Sequence, residues 1–246
     1  MTIRLADKPI VATDRTEIFE DAPTEHENPD LLQTLMALLQ MLHYQGVRYC
    51  HWKSNIRLEQ ALAGKTDLDL LVDRRHAQLF RQVLDAYDVK PSLAAPGKSY
   101  PGVENYLGFD RPSGEFFHLH VHYQLVLGEQ FVKNYRLPLE GELLDSVRLL
   151  YDVQAPAPEW EIIVLAMRAL LKYRDRDAVK DVLSVRTSGL PVAVLEEVQW
   201  LLAQTTMARV AETVSQVADI VPADAVMAFL QTVSVAPRSG YDLYLL

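Results

Sequence analysis

The stretch from His51 to Val72, HWKSNIRLEQALAGKTDLDLLV, constrains this chain more than any other. A β-like run, Val47 to Trp52, meets a polar turn, Lys53-Ser54-Asn55. A helix-like segment follows, with Ile56, Leu58, Leu62 and Ala63 available for packing, and then a second strand carrying Asp67 and Asp69. Successive strand side chains point to opposite faces, so acids at i and i+2 project from the same face. Two carboxylates that close repel each other and are most easily kept ionised by a cation between or beside them. Leu68, Leu70, Leu71 and Val72 make the rest of the strand apolar, as a buried strand requires. Asp67 and Asp69 are therefore candidate metal ligands. The competing reading is an edge strand whose polar face is solvated, with Asp67 also serving a turn.

The turn carries a second signal. A polar turn that opens a helix presents unpaired backbone N–H groups, and the helix dipole adds positive potential, so a phosphate is a natural occupant. Ser54 can bond one phosphate oxygen and Lys53 can neutralise another, with Asn55 beside them. The plainer use of Ser54 or Asn55 is as an N-cap.

Turn, helix, Gly64 and then Asp67-Leu68-Asp69 together resemble the active-site signature of the nucleotidyltransferase superfamily. In that family a Gly-Ser turn precedes a helix, and the next strand brings two metal-binding acids; here Lys53-Ser54 stands where Gly-Ser is usual. With Cys50-His51-Trp52 before the turn and His120-Val121-His122-Tyr123 later, the wording is similar to a branch of nucleotidyltransferase-like domains, some fused to a thymidylate-kinase-like domain. The resemblance implies a metal-dependent transfer of a nucleoside monophosphate from a nucleoside triphosphate to an unidentified hydroxyl acceptor, with Mg²⁺ (or Mn²⁺) at Asp67 and Asp69. It also implies a third acid on a later strand. The candidate is the segment Glu115 to Leu125, where Phe116, His118, His120 and His122 share one face and no acid occupies the middle. His120, as base, or His122, as ligand, is the substitute, because neutral imidazole can bind a metal or accept a proton. Three histidines at alternate positions span roughly 13 Å, too far for one ion on a straight strand, but a pair aided by Asp69 is within reach.

The expected fold is α+β: a nucleotidyltransferase-like mixed β-sheet flanked by helices over 29–154, then a C-terminal helical bundle over 155–246, with 1–28 a flexible acidic arm. Leu31 to Leu42 has helical spacing and ends near Gly46, and His76 to Tyr87 gives the next helix, with His76 a surface residue. Residues 91–102, PSLAAPGKSYPG, read as a loop, with a plain surface loop the simpler reading and Lys98 and Ser99 reaching a substrate the alternative. Val103–Phe109 and Glu115–Leu125 read as a hairpin across Asp110-Arg111-Pro112-Ser113-Gly114. Leu143, Leu144, Val147, Leu149 and Leu150 suggest a short helix, and Ala155-Pro156-Ala157-Pro158 a stiff linker. Helices follow at 159–173, 175–185, 192–205, 207–221 and 223–233. Arg168, Lys172, Arg174 and Arg176 form a basic cluster in which the resemblance gives Arg168 or Lys172 a triphosphate-binding role; a solvated helix end is the alternative.

A net charge of −9 speaks against broad nucleic-acid binding, and the single Cys50 excludes an internal disulfide. With no apolar stretch long enough for a membrane span, a cytoplasmic protein is expected, and the apolar end at 240–246 allows an oligomer. A noncatalytic nucleotide- or partner-binding module is the alternative to the transferase, and a metal-dependent hydrolase built on the histidine strand is a third possibility.

Overall fold

The computed structural model describes residues 31–93, 99–128, 135–172 and 191–234. The N-terminal arm, Lys98, Arg174, Arg176, the helix expected at 175–185 and the apolar end at 240–246 lie outside these residues. The centre is a five-stranded sheet built from β1 (Tyr49–His51), β2 (Leu68–Val72), β3 (Lys90–Ser92), β4 (Val103–Asp110) and β5 (Glu115–His122), in the order β1-β2-β5-β4-β3. β2 and β5 run parallel and every other neighbouring pair is antiparallel, so the sheet is mixed, as the hairpin reading required.

β2 is an interior strand, which removes the solvated-edge reading for Asp69, while Asp67 lies just before the strand. Its Leu68, Leu70 and Val72 face a core with Tyr49, Leu119 and Val121, covered by α1 (Gln33–Tyr44), α2 (Leu58–Leu62) and α3 (Ala77–Ala86). Leu71, on the face of Asp69, joins Cys50 and Trp52 in a second core. That core is completed by α4 (Glu140–Asp145), α5 (Pro158–Lys172), α6 (Val192–Leu202), α7 (Met207–Gln216) and α8 (Ala223–Ser234). The C-terminal helices therefore share this core with the sheet, with α4 against β1 and with α6, α7 and α8 gathered on α5.

The connections between β1 and β2 are built tightly. After the 3₁₀ turn Asn55–Arg57, α2 ends where the Lys65 N–H donates to the Gln60 carbonyl and Gly64 adopts φ +72°. A Cβ at Gly64 would lie 3.1 Å from the Phe116 carbonyl oxygen and 2.8 Å from Leu32, so the turn into β2 needs glycine on both counts. At the other end of the sheet Asp110 accepts from Ser113 in the hairpin turn and from the Thr34 N–H at 2.6 Å, capping α1 from a distant strand.

Three local expectations change. Pro91 and Ser92 belong to edge strand β3 rather than a loop, a place where proline's missing N–H is tolerated. Leu149 and Leu150 lie in a short strand, Arg148–Leu150, which pairs with Val153–Ala155, while Leu143 and Leu144 alone of that group are helical. Pro156 and Pro158 are buried, so the segment read as a linker is packed, and Pro158 opens α5, where its absent N–H costs nothing. Among the described residues no helix is long and apolar enough to cross a membrane.

Candidate active site

Parallel pairing of β2 with β5 sets Asp69 opposite His120. Acids at alternate positions, Asp69 within β2 and Asp67 just before it, meet imidazoles at alternate positions on β5. Asp67 Oδ1 lies 2.8 Å from His118 Nδ1, and Asp69 Oδ1 lies 2.9 Å from His120 Nδ1. The rings of His118 and His120 stack at 6.3 Å. The sequence reading left His118 without a role; its alternation with His120 was the signal, and the register supplies the partner.

The two aspartates are not equivalent. Asp67 precedes β2 and is 59% exposed, whereas Asp69 is 14% exposed. Lys53 Nζ lies 2.7 Å from Asp69 Oδ1 and 5.0 Å from the centre of the Trp52 ring. Burial disfavours ionisation of Asp69, but His120, His122 and the Lys53 charge outweigh it and hold the carboxyl well below the usual range. The cation that the Asp-x-Asp pattern demands is thus supplied in part by Lys53. Asp69, His120 and His122 form a cluster whose ligand atoms all lie within 4.8 Å of one another. Asp67, expected as a co-ligand with Asp69 and His122, is outside this cluster, and His120, expected as base, is inside it. His122 is 2% exposed, packs edge-on against Trp52 at 5.0 Å, and burial lowers its pKa to about 4.

Beside these groups is a cleft of about 230 Å³ lined by His51, Lys53, Ser54, Arg57, Ala61, Thr66, Asp67 and Asp69. Two cations and two acids thus converge at one end of β2. Arg57 and Thr66 were not foreseen.

The turn differs from expectation. Ser54 has φ 58° and ψ 38°, and its side chain does not cap the 3₁₀ turn. Its N–H donates to Glu197 Oε1 at 3.0 Å, and the Asn55 N–H donates to Glu161 Oε1 at 3.0 Å. The amides expected to seat a phosphate are occupied by carboxylates from α6 and α5. The Asn55 side chain is also committed: its Nδ2 donates to the His51 carbonyl and its Oδ1 lies 2.8 Å from His51 Nδ1. Asn55, 1% exposed, therefore builds the turn.

Burial pushes Glu161 up to about 7, with the Glu197 charge adding to the shift, and burial also raises Glu197. Arg168 sits 5.9 Å over the Trp52 ring, where its charge acts on Glu197, while Lys172 is exposed at the end of α5. Neither of these two lines the cleft. The roles of Glu161 and Glu197 left no trace in the sequence, because each acts across more than a hundred residues. Comparison of the chain with protein-family models, with curated proteins and with solved structures finds no match.

Proposed function

We propose that the chain is a metal-dependent enzyme that transfers a nucleoside monophosphate from a nucleoside triphosphate to a hydroxyl. The observation that carries this reading is the cleft in which Lys53, Ser54 and Arg57 meet Asp67 and Asp69. Acids suited to a cation lie beside cations suited to phosphates. In the reaction the acceptor hydroxyl loses its proton, its oxygen bonds to the α-phosphorus, and the bond from that phosphorus to the bridging oxygen breaks as pyrophosphate leaves. Lys53 and Arg57 neutralise the phosphate charge. His118, held through Nδ1 by Asp67, accepts the hydroxyl proton, because a carboxylate on one imidazole nitrogen orients the ring and leaves the other nitrogen to accept.

The cluster of one carboxylate and two imidazoles fits a divalent ion, which when bound supplies positive charge to the phosphate oxygens. Two nitrogens among three donors suit Mg²⁺ or Mn²⁺ less well than an ion with affinity for imidazole. A second reading, a nucleotide- or partner-binding module without turnover, is favoured by the Glu161 and Glu197 carboxylates on the turn amides. Titration calorimetry with each nucleoside triphosphate, with and without divalent ion, combined with a pyrophosphate-release assay, separates the readings. Metal-dependent binding with release supports the transferase, binding without release supports the nucleotide-binding module, and no binding sinks the transferase and the nucleotide-binding module alike.

A further inference from the structure

The geometry points to a zinc-class ion held by Asp69 Oδ1, His120 Nδ1 and His122 Nε2, with Lys53 as the cation that neutralises Asp69 when the ion is away. This site stands whether or not the chain transfers nucleotides. The three atoms form a triangle with sides of 2.9 Å from Asp69 to His120, 3.3 Å from His120 to His122, and 3.8 Å from His122 to Asp69. An ion with tetrahedral bonds of about 2.0–2.1 Å separates its ligand atoms by about 3.3 Å, the middle of that range. Little rearrangement is needed to seat it.

The chemistry of the three atoms leads to the same conclusion. All three atoms lie close together, an arrangement that only protons or a cation between them make favourable. The buried His122 ring packs edge-on against Trp52, which turns its Nε2 towards Asp69 and His120, and its Nδ1 finds no hydrogen-bond partner among the described residues. Two imidazoles and one carboxylate select Zn²⁺ and its neighbours over Mg²⁺ or Ca²⁺, which prefer oxygen donors. Three protein ligands leave a fourth position open, as in catalytic rather than structural zinc sites. Asp69 also lines the cleft beside Lys53 and Asp67, which links the tripod to the space where a substrate would enter.

Lys53 gives the site a competitor of its own. Its ammonium, 2.7 Å from Asp69 Oδ1, shares the oxygen that a metal ion would take. Metal entry therefore weakens that ion pair, and removal of the lysine charge leaves Asp69 more dependent on the metal.

The test uses the full chain stripped with chelator and titrated with ZnCl₂ and with MgCl₂ by calorimetry, in the absence of nucleotide. One equivalent of Zn²⁺ is expected to bind at micromolar concentration or tighter, with Mg²⁺ at least about 100-fold weaker. His120→Gln, at a half-buried position that should fold, is expected to weaken Zn²⁺ binding by about 100-fold or more, since even partners outside the ligand set cost 10–100-fold. Lys53→Met is expected to bind Zn²⁺ several-fold more tightly and to show a larger rise in melting temperature on adding it. Absence of Zn²⁺ binding below millimolar concentration in the parent overturns the proposal. So does an unchanged affinity in a folded His120→Gln protein, which would place the ion at another histidine. Neither outcome bears on nucleotide binding, which is measured separately.

Discussion

Asp69 and Glu161 are both largely buried acids beside the Lys53-Ser54-Asn55 turn, yet their proton affinities move in opposite directions. Both lose solvation. Asp69 recovers it from Lys53 and the imidazoles of β5, and stays ionised at a depressed pKa. Glu161 receives one amide hydrogen bond through Oε1, leaves Oε2 without a partner among the described residues, and faces a second acid, so its pKa rises to about 7. Burial therefore does not decide the charge of an acid; the partners that replace water do. One side of the turn is a place prepared for cations. The other holds carboxylates where an anion was expected.

Removal of Asp69 should produce the largest change. Asp69→Asn takes the counterion from Lys53, whose side chain is 18% exposed, and leaves the amide facing two imidazoles. Truncating one partner of a fully buried ion pair costs about 3–5 kcal/mol, and partial exposure here reduces the expected loss to about 1–3 kcal/mol. This reverses what repulsion between Asp67 and Asp69 alone would give, a slight gain. Metal binding should fall by at least about 100-fold. Denaturant melts and zinc titration of the same variant check both figures. A variant as stable as the parent with unchanged metal affinity would erase the contrast with Glu161.

The Glu161 side is tested by pH. Its folded pKa, about 7, lies above the ordinary 4.5, so between those values the folded state binds more protons than the unfolded state. Stability then falls as pH rises through that window, by up to about 3 kcal/mol, and the penalty is complete above pH 7. Glu161→Gln keeps an oxygen for the Asn55 amide and cannot ionise. The difference in unfolding free energy between variant and parent should be near zero at pH 4 and favour the variant by about 1–3 kcal/mol at pH 8. A difference independent of pH would show that Glu161 is not held in its neutral form by the fold.

Much of the cation side was legible in the sequence, because it is built from local alternation. Asp67 and Asp69 share a face through strand geometry alone, and the Phe116 to His122 segment repeats that period. One parallel pairing converts the two patterns into Asp–His contacts. The sheet's mixed character followed from the turn at Asp110 to Gly114. The anion side was misread for a physical reason. Free amides at Ser54 and Asn55 are a fair expectation for a turn before a helix, but what fills them depends on where α5 and α6 pack. Nothing in the spacing of Glu161 and Glu197 distinguishes them from surface acids on a helix. Lys53 was read as a phosphate ligand, and its proximity to Asp69 required the fold.

The smallest effect expected tests whether the turn remains an anion seat when its occupant is removed. Glu197 Oε1 accepts the Ser54 N–H, the position a phosphate oxygen would take in the expected arrangement. Glu197→Ala removes that acceptor and its charge, leaving an amide that an incoming oxygen can satisfy. A single hydrogen bond of about 1 kcal/mol corresponds to about five-fold in affinity. Nucleoside triphosphate, titrated in the presence of divalent ion, should therefore bind Glu197→Ala about five-fold more tightly than the parent. Glu197→Gln keeps an oxygen on the amide and loses only the charge, so its gain should be smaller, about two-fold. Equal gains in the two variants would mean that charge alone opposed the nucleotide and that the Ser54 amide takes no part. Weaker binding in both, with the fold intact, would mean that Glu197 holds the turn in its working shape. In that case the carboxylates belong to the architecture of the cleft and do not occupy a seat meant for phosphate.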